Sequence, residues 1–126
     1  MKREILFRGK RVDNNEWVYG SLIVYSVTKD GKTKKYDIKL QDAYNTNLDS
    51  YRVISETVSQ FTGLTDKNGV KIFEGDLLQI PGYYCEVKFI DGMFCSVYNH
   101  DEDGETLPLN ELGVDEFKII GNIHDA

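Results

Sequence analysis

Alanine is nearly missing from this chain: Ala43 and Ala126 are its only two among 126 residues. With the best helix former so scarce, a helix bundle or a coiled coil is excluded. Cysteine is equally sparse. Cys85 and Cys95 are too few for a disulfide framework or a zinc cage built on thiolates. Long apolar runs are lacking as well, since no window approaches the roughly 18 apolar residues of a membrane-spanning helix. The start, Met1-Lys2-Arg3-Glu4-Ile5-Leu6-Phe7-Arg8, has no apolar stretch of the kind a secretory signal needs. These absences predict a cytoplasmic, reduced protein without a membrane partner.

What is present favours strands. The chain holds 10 Val, 10 Ile and 7 Thr beside 8 Tyr and 6 Phe, residues that suit a pleated, half-buried surface. Apolar residues at 40% and charged residues at 29% are ordinary for a globular chain and exclude a disordered one. The net charge of -6 hides a partition. Residues 1–39 carry ten basic and five acidic side chains, whereas residues 40–126 carry five basic and sixteen acidic. Such a split suits an acidic tail, a basic binding face, or complementary surfaces that meet in an oligomer.

Turn signals divide the chain into hairpins. Asp13-Asn14-Asn15-Glu16 separates a strand near Ile5-Leu6-Phe7 from one beginning at Trp17-Val18-Tyr19. The run Ser21 to Val27 leads to Asp30-Gly31, read as a two-residue turn with positive φ at both positions. That turn sets Ile23 opposite Ile38, Tyr25 opposite Tyr36 and Val27 opposite Lys34. A second Asx-Gly turn, Asp91-Gly92, joins Tyr83–Ile90 to Met93–Tyr98 and sets Phe89 opposite Phe94, Val87 opposite Ser96 and Cys85 opposite Tyr98. This face is expected to look inward, with Glu86, Lys88 and Cys95 on the other, so the two cysteines cannot meet. Trp17, Phe61, Phe73, Phe89 and Phe94 are expected in the core. Five short strands from Asp76 onward, joined by tight turns, suit a small SH3-like barrel. The expected fold is all-β: an N-terminal antiparallel β unit, residues 1–60, packed on an SH3-like barrel, residues 61–126.

Three segments resemble the YopX family of phage and prophage proteins. They are Phe7-Arg8-Gly9-Lys10 with Glu16-Trp17-Val18-Tyr19-Gly20-Ser21-Leu22; Glu56 to Gly69, continuing into Ile72-Phe73-Glu74-Gly75-Asp76-Leu77-Leu78; and Ile119-Ile120-Gly121-Asn122-Ile123. Ser55 stands where the family pattern has a proline. The resemblance implies an origin in phages or prophages of Gram-positive bacteria and a β-rich fold with an SH3-like C-terminal barrel. It implies no settled function and no catalytic residues.

Chemistry-bearing constellations are thin. Asn99, Asp101 and Asp103 alternate as ligands of a calcium loop do, but Asn99 stands where an Asp is required and Asn110 where a bidentate Glu is. The loop is therefore read as a solvated connection. His100 and His124 are the two histidines. Cys95 lies near His100 in sequence with no third group to orient the pair. Glu74 and Asp76 are explained by a turn. No phosphate-binding loop, dinucleotide fingerprint or HExxH motif occurs, so neither a cofactor nor an enzymatic activity is expected. The candidate binding residues are those of the basic hairpin tip: Lys29, Lys32, Lys34 and Lys35, with Tyr25 and Tyr36. A protein acting by binding, with self-association and an unidentified phage or host protein as partners, is the expectation. Nucleic acid is the alternative partner, disfavoured by net charge.

Overall fold

A computed structural model describes residues 4–40, 49–80, 83–98, 106–109, 113 and 116–125. The chain divides into two compact units, Met1–Gln60 and Phe61–Ala126. Both are built of antiparallel sheet. Helix among the described residues is confined to short 3-10 turns, of which Ser55–Thr57 is one, in keeping with the scarcity of alanine.

The first unit contains β1 (Phe7–Lys10), β2 (Trp17–Ser26), β3 (Lys34–Leu40) and β4 (Ser50–Val53), and its chain leaves through the start of β5 (Ser59–Thr65). Neighbours run β4-β3-β2-β1, and Phe7 and Arg8 also pair with Gln60 and Ser59 of β5. The sheet curls strongly. Arg11 bridges to Val53, while the Val12 N–H donates to the Arg52 carbonyl at 3.0 Å and the Ile54 N–H to the Lys10 carbonyl at 2.8 Å. Leu6, Ile38 and Val53 are buried here. Thr57 fastens the turn before β5: its hydroxyl oxygen accepts the Lys10 N–H at 2.9 Å, and its O–H donates to the Ile54 carbonyl at 2.6 Å.

The β2–β3 register differs by one residue from the expected one. Val24 faces Tyr36, Tyr25 faces Lys35 and Leu22 faces Ile38. The cause lies in the turn. Gly31 takes a left-handed conformation (φ 71°) but Asp30 does not, so the paired positive φ values of a two-residue turn are missing. A wider loop forms, in which the Gly31 N–H donates to the Thr28 carbonyl at 3.1 Å and the Val27 N–H to the Thr33 carbonyl at 2.8 Å. A slip of one residue reverses which face each side chain occupies.

The second unit contains the remainder of β5, then β6 (Lys71–Phe73), β7 (Asp76–Ile80), β8 (Tyr83–Ile90), β9 (Met93–Tyr98), β10 (Thr106–Pro108) and β11 (Lys118–Asn122). Five of these form a sheet in the order β10-β9-β8-β7-β11. The β8–β9 register is the expected one, from Cys85 opposite Tyr98 to Ile90 opposite Met93. Asp91 and Gly92 both have positive φ, 51° and 82°, as that turn demands. Ile72, Leu78, Cys85, Val87 and Leu109 form the core, with Leu64, Phe94, Phe117 and Ile119 packed against it.

The all-β expectation holds, while no closed barrel is found among the described residues, where β10 and β11 are the outer strands of the five-stranded sheet. The outer edge of β11 is already occupied, because the Ile119 N–H donates to Asp66 and the Lys67 N–H to the Phe117 carbonyl. At the other edge, Pro108 has no N–H to extend the sheet. Phe89, expected in the core, is 52% exposed. It stacks edge-on against Phe94, with ring centroids 5.1 Å apart, at the hairpin end beyond Val87.

Candidate functional site

The β2–β3 hairpin outruns its neighbours. β1 pairs with β2 only as far as Gly20, and β4 pairs with β3 only as far as Tyr36. Beyond Leu22 on β2 and Tyr36 on β3 the two strands therefore form an arm with no flanking strand among the described residues. Exposure follows from this. Val24 (47%), Tyr25 (43%) and Val27 (53%) are open to solvent, as are Lys29, Lys32, Lys34 and Lys35.

The candidate residues lie on this arm, with Tyr36 at its base, but not on one surface. Tyr25 and Lys35 are direct cross-strand partners. Tyr36, Lys34 and Val24 lie on the opposite face, because alternate residues of a strand point to opposite sides. Each face thus presents one tyrosine and one strand lysine. Lys29 and Lys32 sit in the loop around Asp30, whose Oδ1 accepts the Thr28 hydroxyl at 2.5 Å and the Lys32 N–H at 3.0 Å. Those bonds, the hydroxyl's first, hold the Asp30 carboxyl below the usual aspartate value. The arm tip therefore carries four lysines against one ionised carboxylate.

Three described cations of this unit, Arg8, Lys10 and Arg52, are occupied internally, a pairing the sequence reading missed. Arg8 and Lys10 are buried, and their charged groups lie 4.4 Å and 5.4 Å from the Trp17 ring centre. Lys10 is the cross-strand partner of Trp17, and Arg8 is that of Tyr19. Trp17 is half-buried beneath these cations and is not a wholly enclosed anchor. The legible signal was the alternation in Phe7-Arg8-Gly9-Lys10, which places both cations on one face. At the base of the arm, Arg52 pairs with buried Asp37 across β3 and β4 at 2.5 Å. Among the described residues, the arm thus holds four exposed lysines, while Lys39 is an exposed lysine at its base.

The second unit offers little for catalysis among its described residues. Cys85 and Cys95 are free and buried, on opposite faces of β8–β9. Burial pushes the Cys85 thiol up to about 11, which removes the thiolate a nucleophile needs. Asp76 is buried, and its Oδ2 accepts the Phe73 N–H at 2.8 Å, a turn-forming role. No group of three His, Cys, Asp or Glu able to hold a metal occurs among the described residues. The candidate cation ligands Asn99, Asp101 and Asp103, with His100, lie outside those residues. No described helix is long and apolar enough to cross a membrane.

No curated protein matches the chain. Among solved structures, protein EF1440 from Enterococcus faecalis is similar at 23% identity and a TM-score of 0.51, covering 98% of this chain and 95% of its own. That likeness concerns the fold. Family membership rests on the sequence: residues 6–126 match the model described as YopX protein, nearly the full length, and the chain belongs to the YopX family.

Proposed function

We propose that this protein is a phage-type accessory protein that works without catalysis, by binding protein, and that it self-associates. The observation carrying this reading is the arm: a two-stranded projection with exposed Val24, Tyr25 and Val27 set among four exposed lysines. Exposed apolar groups within a charged rim suit a protein partner. The chain itself supplies a partner of the right sign. Residues 1–60 carry eleven basic and eight acidic side chains, and residues 61–126 four basic and thirteen acidic. The first unit of one copy, at +3, is thus complementary in charge to the second unit of another, at -9.

Light scattering after size exclusion tests self-association. Oligomers at low salt that loosen as salt rises are the expected result, since exposed charge pairs are screened beyond about 8 Å at physiological ionic strength. A monomer at every salt concentration and every protein concentration overturns the proposal. One observation favours a second reading. Tyr25 directly beside Lys35 offers a stacking face next to a cation, an arrangement that also holds single-stranded nucleic acid. Titration with single- and double-stranded DNA and RNA at about 50 mM salt separates the readings. Binding abolished by Tyr25→Ala supports the second; no binding there removes it.

A further inference from the structure

Along the arm, no described strand lies against the outer hydrogen-bonding edge of β2. The Val27 N–H donates to the Thr33 carbonyl, and the same register continues through Tyr25–Lys35 and Ile23–Asp37. Amides of an antiparallel strand alternate in direction, so Ile23, Tyr25 and Val27 bond to β3. Val24 and Ser26 turn their N–H and C=O groups the other way. At the base of β2 that side is filled by β1, with Gly20 opposite Phe7 and Val18 opposite Gly9. β1 begins at Phe7, and no strand lies opposite Val24 or Ser26 among the described residues.

We infer that this edge takes, by strand addition, an extended acidic segment of a second copy of the chain. The inference rests on the arm being the protein-binding element proposed above. Strand addition draws affinity from main-chain hydrogen bonds and selectivity from side chains at alternate positions. Here Val24 and Val27 supply apolar contact, and the lysines select a strand of opposite charge. Two arms do not pair with each other, because each tip carries four lysines and only one aspartate, Asp30. The acidic residues 61–126 of another copy provide the complementary segment. Such a contact joins unlike surfaces, so copies assemble head to tail.

Val24→Pro tests this directly. Proline removes the Val24 N–H, which points away from β3, and an outward-facing edge position is where a strand tolerates proline. In sedimentation velocity on the full chain, Val24→Pro is expected to weaken self-association at least tenfold with an unchanged circular dichroism spectrum. A measurement on the unaltered protein runs in parallel. Hydrogen exchange at Val24 and Ser26 should slow as protein concentration rises, while exchange at Tyr25 stays unchanged. Self-association that is lost when Lys29, Lys32, Lys34 and Lys35 become Glu, yet survives Val24→Pro with no slowing at Val24 and Ser26, overturns strand addition and leaves the arm as the binding element. A wild-type chain that never associates overturns both.

Discussion

Replacing Asp66 by alanine lowers the stability of the second unit by about 3–5 kcal/mol. The side chain is 4% exposed and accepts three backbone N–H groups. Oδ1 takes those of Asn68 at 2.8 Å and Val70 at 2.9 Å, and Oδ2 takes that of Ile119 at 3.1 Å. The first two shape the turn between β5 and β6; the third fastens the last strand, 53 residues away in sequence. Alanine removes the charged acceptor of all three donors at once, on exposed Asn68 and Val70 and half-buried Ile119. Asn is a sharper probe. Its carbonyl can replace Oδ1, but its NH2 then faces the Ile119 N–H, donor against donor, at a cost of about 2–3 kcal/mol.

Acid reproduces part of the effect. Burial alone would raise the Asp66 carboxyl, but the bonds from Val70, Ile119 and Asn68, with Lys118 nearby, hold it net below its ordinary 3.8. A carboxyl lowered in the folded state contributes stability that is present in full above the unfolded value and lost as pH falls through the folded one. Urea midpoints should therefore separate wild type from Asp66→Asn widely at neutral pH and converge as pH falls below the ordinary 3.8. A constant gap down to that pH, or an alanine variant of wild-type stability, counts against Asp66 as the fastening point.

How much of this was legible in the residues depends on where the deciding interaction lies. Asp91-Gly92 fixed its register in advance because both residues take the positive φ that their types permit, and every β8–β9 pair follows by counting. Asp30-Gly31 looks the same in sequence and behaves differently. Thr28 two residues earlier offers Asp30 a hydroxyl, Asp30 also takes the Lys32 amide, and only Gly31 turns left-handed. The competitor is a side-chain bond that a dipeptide rule omits. The last strand's attachment is equally non-local: nothing near Asp66 in sequence reveals that its second oxygen reaches Ile119 at the outer edge of β11.

The candidate site was legible as a set of residues and illegible as a surface. The lysine cluster is visible in the chain, and the structure keeps all six residues on one hairpin. Their division between two faces follows from a one-residue slip, and their projection from where β1 and β4 stop pairing. Neither is a local property. The Trp17 group shows the converse: a charge count treats Arg8 and Lys10 as free cations, while the fold stacks both on Trp17.

Gly20→Ala is expected to leave the first unit largely unfolded at 25 °C. Gly20 sits in mid-β2, between Phe7 on one side and Leu40 on the other. A Cβ there would stand 2.0 Å from the Lys39 carbonyl oxygen and 2.8 Å from its carbon. Both atoms belong to the β3 backbone, so no rotamer change relieves the overlap and the strands must part. Overpacking of this kind costs about 3–5 kcal/mol, comparable with the whole stability of a unit of roughly 60 residues at about 0.05–0.15 kcal/mol per residue. Gly31→Ala is the control within the same hairpin. Its Cβ would meet nothing nearer than the Ser26 Oγ at 4.0 Å, and the left-handed φ alone costs about 1 kcal/mol. Trp17 is the single tryptophan and lies in this unit, so its emission reports the outcome without a label. The Gly20 variant should show the red-shifted spectrum of a solvated indole before any denaturant is added, while the Gly31 variant should fold and merely unfold earlier in urea. Equal urea midpoints for the two variants would mean that β2 and β3 do not approach at Gly20, and the registers built on that approach would fail with it.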